Sequence, residues 1–173
     1  MSILIWISAV LIALFTIAMI VRAAISDREA VTVFSIGGYV LNTPIAGLSG
    51  LDALSPEECS TGRTFKDETI YKAPPVEFLR HLWEMRIGAV GGMIYKLNPC
   101  IALSDRVEAQ KVSADTLRYC MEKLGKPTWQ KKGFFIWGAP YGSVTLKVSE
   151  GVEGFSVSII ATSTTVAAFR HLG

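Results

Sequence analysis

Cys59 and His81 are the two residues whose types could do covalent chemistry together, because a cysteine nucleophile needs a thiolate held by a nearby base. Their contexts argue for plainer roles, a loop cysteine and an edge-strand histidine. Metal chemistry fares no better. The cysteines are Cys59, Cys100 and Cys120, an odd number without CxxC spacing, and only His81 and His171 could join them. A zinc site needs clustered ligands at short spacings, so neither a metal nor a cofactor is expected. Cys120 falls on the apolar side of an expected helix and Cys100 beside an expected strand end, where a free cysteine packs as a small hydrophobe. An exported domain would permit a Cys59 to Cys100 disulfide.

Acyl-transfer and phosphate motifs are missing in the same way. Gly47-Leu48-Ser49-Gly50 lacks the GxSxG spacing of a nucleophile elbow. Gly37-Gly38 and Gly91-Gly92 each lie between strand-like residues with no following helix start or P-loop lysine, so they read as bend and turn. Glu57-Glu58 and Asp67-Glu68 are paired carboxylates in polar segments, where acid pairs are normally solvated.

The aromatics point elsewhere. Trp83 and Trp137 fall on expected core faces. Trp129 and Tyr141 fall in expected loops, flanked by Lys131 and Lys132 and by Pro140 and Gly142. An aromatic in an exposed loop belongs to the residue types that dominate binding hot spots, so Trp129, Tyr141, Lys131 and Lys132 form the candidate binding surface. Lys123, Lys126, Lys131 and Lys132 are the densest basic run. They could meet phosphates or lipid headgroups, but read first as a solvated helix end and loop.

Elsewhere the 173 residues carry 17 Lys and Arg against 15 Asp and Glu, interspersed, for a formal charge of +2. No electrostatic footprint for nucleic acid stands out, and DNA and RNA are not expected partners. Half of the residues are apolar, and much of that excess sits at the start of the chain. From Ile3 to Val21 there is no charge, and at about 1.5 Å per residue this run spans roughly 28 Å, close to a bilayer's hydrocarbon core. Trp6 and Arg22 stand where interfacial anchors belong, and no Lys or Arg precedes the run as in a cleaved signal peptide. Residues 1–22 are therefore expected to form a transmembrane anchor and 23–30 a linker, with a single domain over 31–173. Arg22 and Arg28 follow the anchor, which by the positive-inside rule puts the domain on the cytoplasmic side.

Within the domain, Val31 to Leu41 reads as a strand with a bend at Gly37-Gly38, and Asn42 to Ser60 as loop with a helix start at Ser55 to Glu58. Strand signals follow at Thr69 to Tyr71, Val76 to Leu79, Leu82 to Ala89 and Met93 to Ile101. A three-residue loop, Val90-Gly91-Gly92, would set Ile87 opposite Tyr95 and Met85 opposite Leu97 on one apolar face. Asp105 and Glu108 have capping-box spacing, and Val112, Leu117, Cys120, Met121 and Leu124 recur at helical intervals up to Gly125 and Pro127, which stop the helix. Three strands, Phe134 to Trp137, Val144 to Ser149 and Phe155 to Ala161, then align Phe135 with Leu146, Trp137 with Val144 and Val148 with Val157. Thr164 to Leu172 could close the chain with a short helix.

The expectation is an α+β fold: an N-terminal transmembrane helix followed by an antiparallel sheet packed against one main helix. From Asp105 to Ala161 the succession of helix, Gly-Lys-Pro stop and strand meander resembles the β-lactamase inhibitor proteins and small outer-membrane assembly lipoproteins, which implies a similar fold and no residue roles. The functional expectation is a membrane-tethered, non-enzymatic domain that binds another protein as an inhibitor, immunity or assembly factor. An enzyme of an unrecognised family and a structural membrane protein that oligomerises are the alternatives.

Overall fold

The computed structural model describes residues 16, 31, 34–55 and 67–165. Apart from Thr16, the expected anchor and linker lie outside the described residues, as do Glu57-Glu58, Cys59 and nearly all of the expected terminal helix. Among the described residues no helix is long and apolar enough to cross a membrane.

The domain is a sheet-dominated α+β fold with one long helix. Its elements are β1 (Ser35–Ile36), β2 (Tyr39–Val40), β3 (Asp52–Ala53), β4 (Glu68–Phe78), β5 (His81–Val90), β6 (Met93–Leu103), α1 (Arg106–Leu124), β7 (Trp129–Lys131), β8 (Phe134–Ala139), β9 (Gly142–Gly151) and β10 (Gly154–Ser163). Eight strands form one antiparallel sheet in the order β3-β4-β5-β6-β10-β9-β8-β7, and β1 and β2 pair separately. The first meander runs inward to β6. The helix then carries the chain to the far edge, and the second meander returns from β7 until β10 pairs with β6. At about 1.5 Å per residue the 19-residue helix is roughly 28 Å long, enough to cross four strands spaced about 4.8 Å apart.

The helix begins and ends on its own chemistry. Asp105 accepts a hydrogen bond from the Glu108 amide at 2.7 Å, satisfying one of the unpaired donors of the first turn. At the other end Gly125 has φ 76° and ψ −154°, a region open essentially to glycine alone, and its amide donates to the Met121 carbonyl at 2.9 Å. The helix buries Ala109, Val112, Thr116, Cys120 and Leu124. Thr116 is tolerated on this face because its hydroxyl donates to the Val112 carbonyl at 2.7 Å. Met121, read from spacing as part of the buried stripe, is 41% exposed instead. Beneath the helix lies the apolar face of the sheet, including Met85, Ile87, Leu97, Trp137, Val144, Leu146, Val157 and Ile159, all almost fully buried. Full burial of one such side chain stabilises by about 1.5–3 kcal/mol. Trp137 ties the two layers by donating its indole N–H to the Gly125 carbonyl at 2.9 Å.

The registers Phe135↔Leu146, Trp137↔Val144 and Val157↔Val148 are as the apolar pattern requires. The β5–β6 register differs from expectation by two residues. Gly91 and Gly92, with φ 61° and 78°, close a two-residue turn that sets Val90 opposite Met93, and Ile87 pairs with Leu97 and Met85 with Pro99. A bulge between Gly88 and Ala89 inserts Tyr95 as the extra residue. It restores the face parity that a plain two-residue turn would have lost, so the apolar face survives although the partners change. Three further segments depart from the sequence reading. The two expected strands around Pro74-Pro75 are one strand, β4, with an irregularity between Ala73 and Val76. The bend at Gly37-Gly38 is the turn of the β1–β2 hairpin. Asp52–Ala53, read as loop, adds an edge strand beside β4.

Candidate functional site

Trp129 is not in a loop. After Pro127 the chain is recaptured by Thr128, whose amide donates to the Ile136 carbonyl at 2.8 Å and whose hydroxyl donates to the same oxygen at 2.9 Å. The Thr128 hydroxyl also accepts from the Gly138 amide at 3.0 Å. This clamp starts β7, the last strand of the sheet, with Trp129 opposite Ile136, Gln130 opposite Phe135 and Lys131 opposite Phe134.

Cross-strand partners share a face. Trp129 and Ile136 therefore lie in one row of the sheet surface away from the helix, and Lys131, Phe134 and Lys147 in the next. Trp129 is 48% and Phe134 38% exposed, and the Lys147 ammonium sits 5.8 Å from the Phe134 ring centroid, within cation–π range. Lys132 follows in the β7–β8 turn and is exposed. Between Glu122 and Glu150 the chain holds five lysines and no acidic residue, a signal visible in the sequence once the whole hairpin is counted together.

Tyr141 is exposed in the β8–β9 turn, at the opposite end of β8 from Lys132. Five residue steps at about 3.3 Å each put roughly 17 Å between those turns. Trp129, Lys131 and Lys132 thus form one surface, and Tyr141 stands apart from it. Phe134 and Lys147, which periodicity alone treats as strand residues, join the surface through register.

On the helix side of β7 a groove of about 330 Å3 runs between strand and helix, lined among others by Leu117, Met121, Lys126, Gln130 and Phe135.

A second cavity, of about 670 Å3, lies between the β4–β5 turn and the helix, bounded by Leu79, Arg80, His81, Lys111, Asp115, Arg118, Tyr119 and Glu122. Leu79 and Arg80 turn the chain with φ 52° and 65°, uncommon for residues with side chains. His81 Nδ1 is 4.0 Å from Glu108 Oε1, and Arg118 pairs with Asp115. Tyr119 packs edge-on to Phe78, and burial, with the adjacent Cys120 thiol as a lesser cause, raises its pKa. No Ser, Thr or Cys lines this cavity, and Cys59 is outside the described residues, so its pairing with His81 gains no geometry.

Elsewhere the described residues show no cluster of His, Cys, Asp or Glu able to hold a metal ion. Cys100 is half-buried within β6, its sulfur 3.9 Å from the Ser156 hydroxyl oxygen. Cys120 is fully buried, and burial pushes its thiol pKa up to about 12. Glu68, read as half of a solvated acid pair, has a fully buried side chain at the start of β4, with Oε1 3.8 Å from Lys96 Nζ. Gly88 leaves the room for this pair: a Cβ there would come within 2.9 Å of Glu68 Oε1 and 3.0 Å of Lys96 Cβ.

No family model, curated protein or solved structure matches the chain.

Proposed function

We propose that this chain is a membrane-tethered, non-enzymatic protein-binding domain that meets its partner at the β7–β8 corner of the sheet. One observation carries the reading: two large aromatics, Trp129 and Phe134, stay substantially exposed at a sheet edge inside a stretch with five lysines and no acids. Exposed Trp and Phe are among the residue types enriched at interfaces, and the lysines around them give the patch one sign of charge, whereas a surface needed only for solubility would carry the lysines without the aromatics. An inhibitor, an immunity protein or an assembly factor would each fit this reading.

Affinity capture from detergent with the full chain tests it. A defined set of proteins held by wild type and by Tyr141→Ala, and lost with Trp129→Ala combined with Phe134→Ala, is the expected result. Equal capture by all three variants refutes the assignment of this corner.

The tether is carried by the uncharged run from Ile3 to Val21, and Arg22 and Arg28 favour the cytoplasmic side. A cysteine introduced at Ser26 in a cysteine-free background should resist a membrane-impermeant thiol reagent until lysis. Prompt labelling would put the domain outside. An enzymatic role at the His81 cavity is supported less, since among the described residues no Ser, Thr or Cys lines it for His81 to activate.

A further inference from the structure

We infer that the partner contributes an extended, acidic segment that pairs with the outer edge of β7 and sets apolar side chains into the groove between β7 and α1. The inference rests on the protein-binding reading above and specifies its mode. Three independent observations converge on it.

The first is the backbone of β7. It ends the sheet order, and among the described residues no strand pairs with its outer side. Thr128 directs its amide to β8. A two-residue turn joins Lys131 to Phe134, so Lys131 and, two residues before it, Trp129 direct their N–H and C=O groups to β8, while Gln130 turns its N–H and C=O outward. An exposed edge of this kind is a template for a further strand.

The second is what lies beside that edge. A strand added to β7 would point alternate side chains toward the helix layer, where the groove of about 330 Å3 offers Leu117, Phe135 and the 41%-exposed Met121. Methionine is a flexible, polarizable lining suited to accepting varied apolar side chains. On the other face the same strand would run beside Trp129, so hydrogen bonds set the register and the groove selects the side chains.

The third is charge. Lys126, Lys131 and Lys132 border the edge and the groove, and no carboxylate occurs between Glu122 and Glu150 to neutralise them. A basic or neutral strand would gain nothing from these ammonium groups, whereas Asp and Glu would be attracted to them. A lipid surface would answer the charge but offers no amide ladder to the strand edge, so the open backbone favours a peptide.

The probe is a fluorescein-labelled decapeptide of alternating Glu and Val, compared with a peptide of the same composition in block order and with an alternating Lys and Val peptide, each titrated into the full chain in neutral detergent. Only the alternating acidic peptide should bind, and binding should slow exchange of the Gln130 amide. Gln130→Pro, which removes the outward-facing N–H and no bond to β8, should weaken it by about tenfold or more, and Gln130→Ala by only a few-fold.

Equal binding of the block-order peptide, or unchanged Gln130 exchange in the saturated wild type, overturns strand addition even if Gln130→Pro proves unstable. Vesicles of phosphatidylglycerol and phosphatidylcholine that shift Trp129 emission, with no peptide bound, would assign the surface to anionic lipid and overturn the inference. Should the captured proteins depend on Trp129 and Phe134 yet ignore Gln130→Pro, the binding reading stands and this mode alone fails. Indifference to all of these substitutions removes both.

Discussion

Cys120 shows how a residue chosen for packing acquires a pH signature. It is fully buried on the sheet-facing side of the helix, and burial pushes its pKa up to about 12 from 9.0, because the thiolate would lose its hydration there. A folded-state pKa above the unfolded value means that the unfolded chain releases the proton first. The stability this thiol lends is thus fully present below pH 9 and is lost as pH rises toward 12. Urea unfolding should show stability falling over that range by on the order of 1 kcal/mol per pH unit relative to Cys120→Ala. Parallel pH profiles for the two proteins would contradict the burial. The helical spacing made this cysteine legible as core. Glu68 was not legible: its neighbours are polar, and its partner Lys96 is 28 positions away, so only the β4–β5–β6 register brings the two within 3.8 Å.

The helix and the turns are the elements that local rules explain most fully. Asp105 caps as its spacing predicts, and Gly125 closes the helix with a positive φ that its position before Pro127 anticipates. Gly125→Val should destabilise by about 1 kcal/mol or more, since a β-branched residue resists φ 76° with ψ −154°. It would also disturb the carbonyl that accepts the Trp137 indole. An unchanged denaturation midpoint would show that the helix end tolerates another cap. The β5–β6 hairpin marks where local rules run out. Alternation identified the correct apolar faces, because side-chain period fixes parity, but partners two residues apart satisfy the same parity. The glycine pair selected the tight turn and the bulge at Tyr95 absorbed the offset. Trp129 was missed as strand because three residues are too few to display alternation, and its strand character comes from the Thr128 clamp onto β8.

At the scale of the molecule the fold is two meanders joined at β6 and β10 beneath one helix, which leaves β3 and β7 as the edges of the main sheet. Val31 and Phe34 are 3% and 4% exposed and belong to the core, although they precede the first strand. Deleting residues 1–27 should therefore leave a cooperative thermal transition. Extending the deletion through Phe34 should cost about 3–5 kcal/mol, the usual range for emptying a buried aromatic site. A non-cooperative melt in the shorter deletion would mean that residues before 28 belong to the fold. The proposed binding surface also belongs to this scale. Its aromatics and lysines come from β7, β8 and β9, and β7 became an edge because the helix carried the chain to the far side of the sheet.

The α+β class, the helix boundaries, the burial of Val112, Cys120 and Leu124 and the three registers within the second meander follow from the sequence alone, because each depends on periodicity, capping or short turns, interactions that span only a few residues. The strand order, the burial of Glu68 against Lys96, the separation of Tyr141 from Trp129 and the open β7 edge next to an apolar groove come from tertiary structure. Each depends on which distant segments the closed sheet makes neighbours, a choice set by burying one continuous apolar face under a helix long enough to cross four strands.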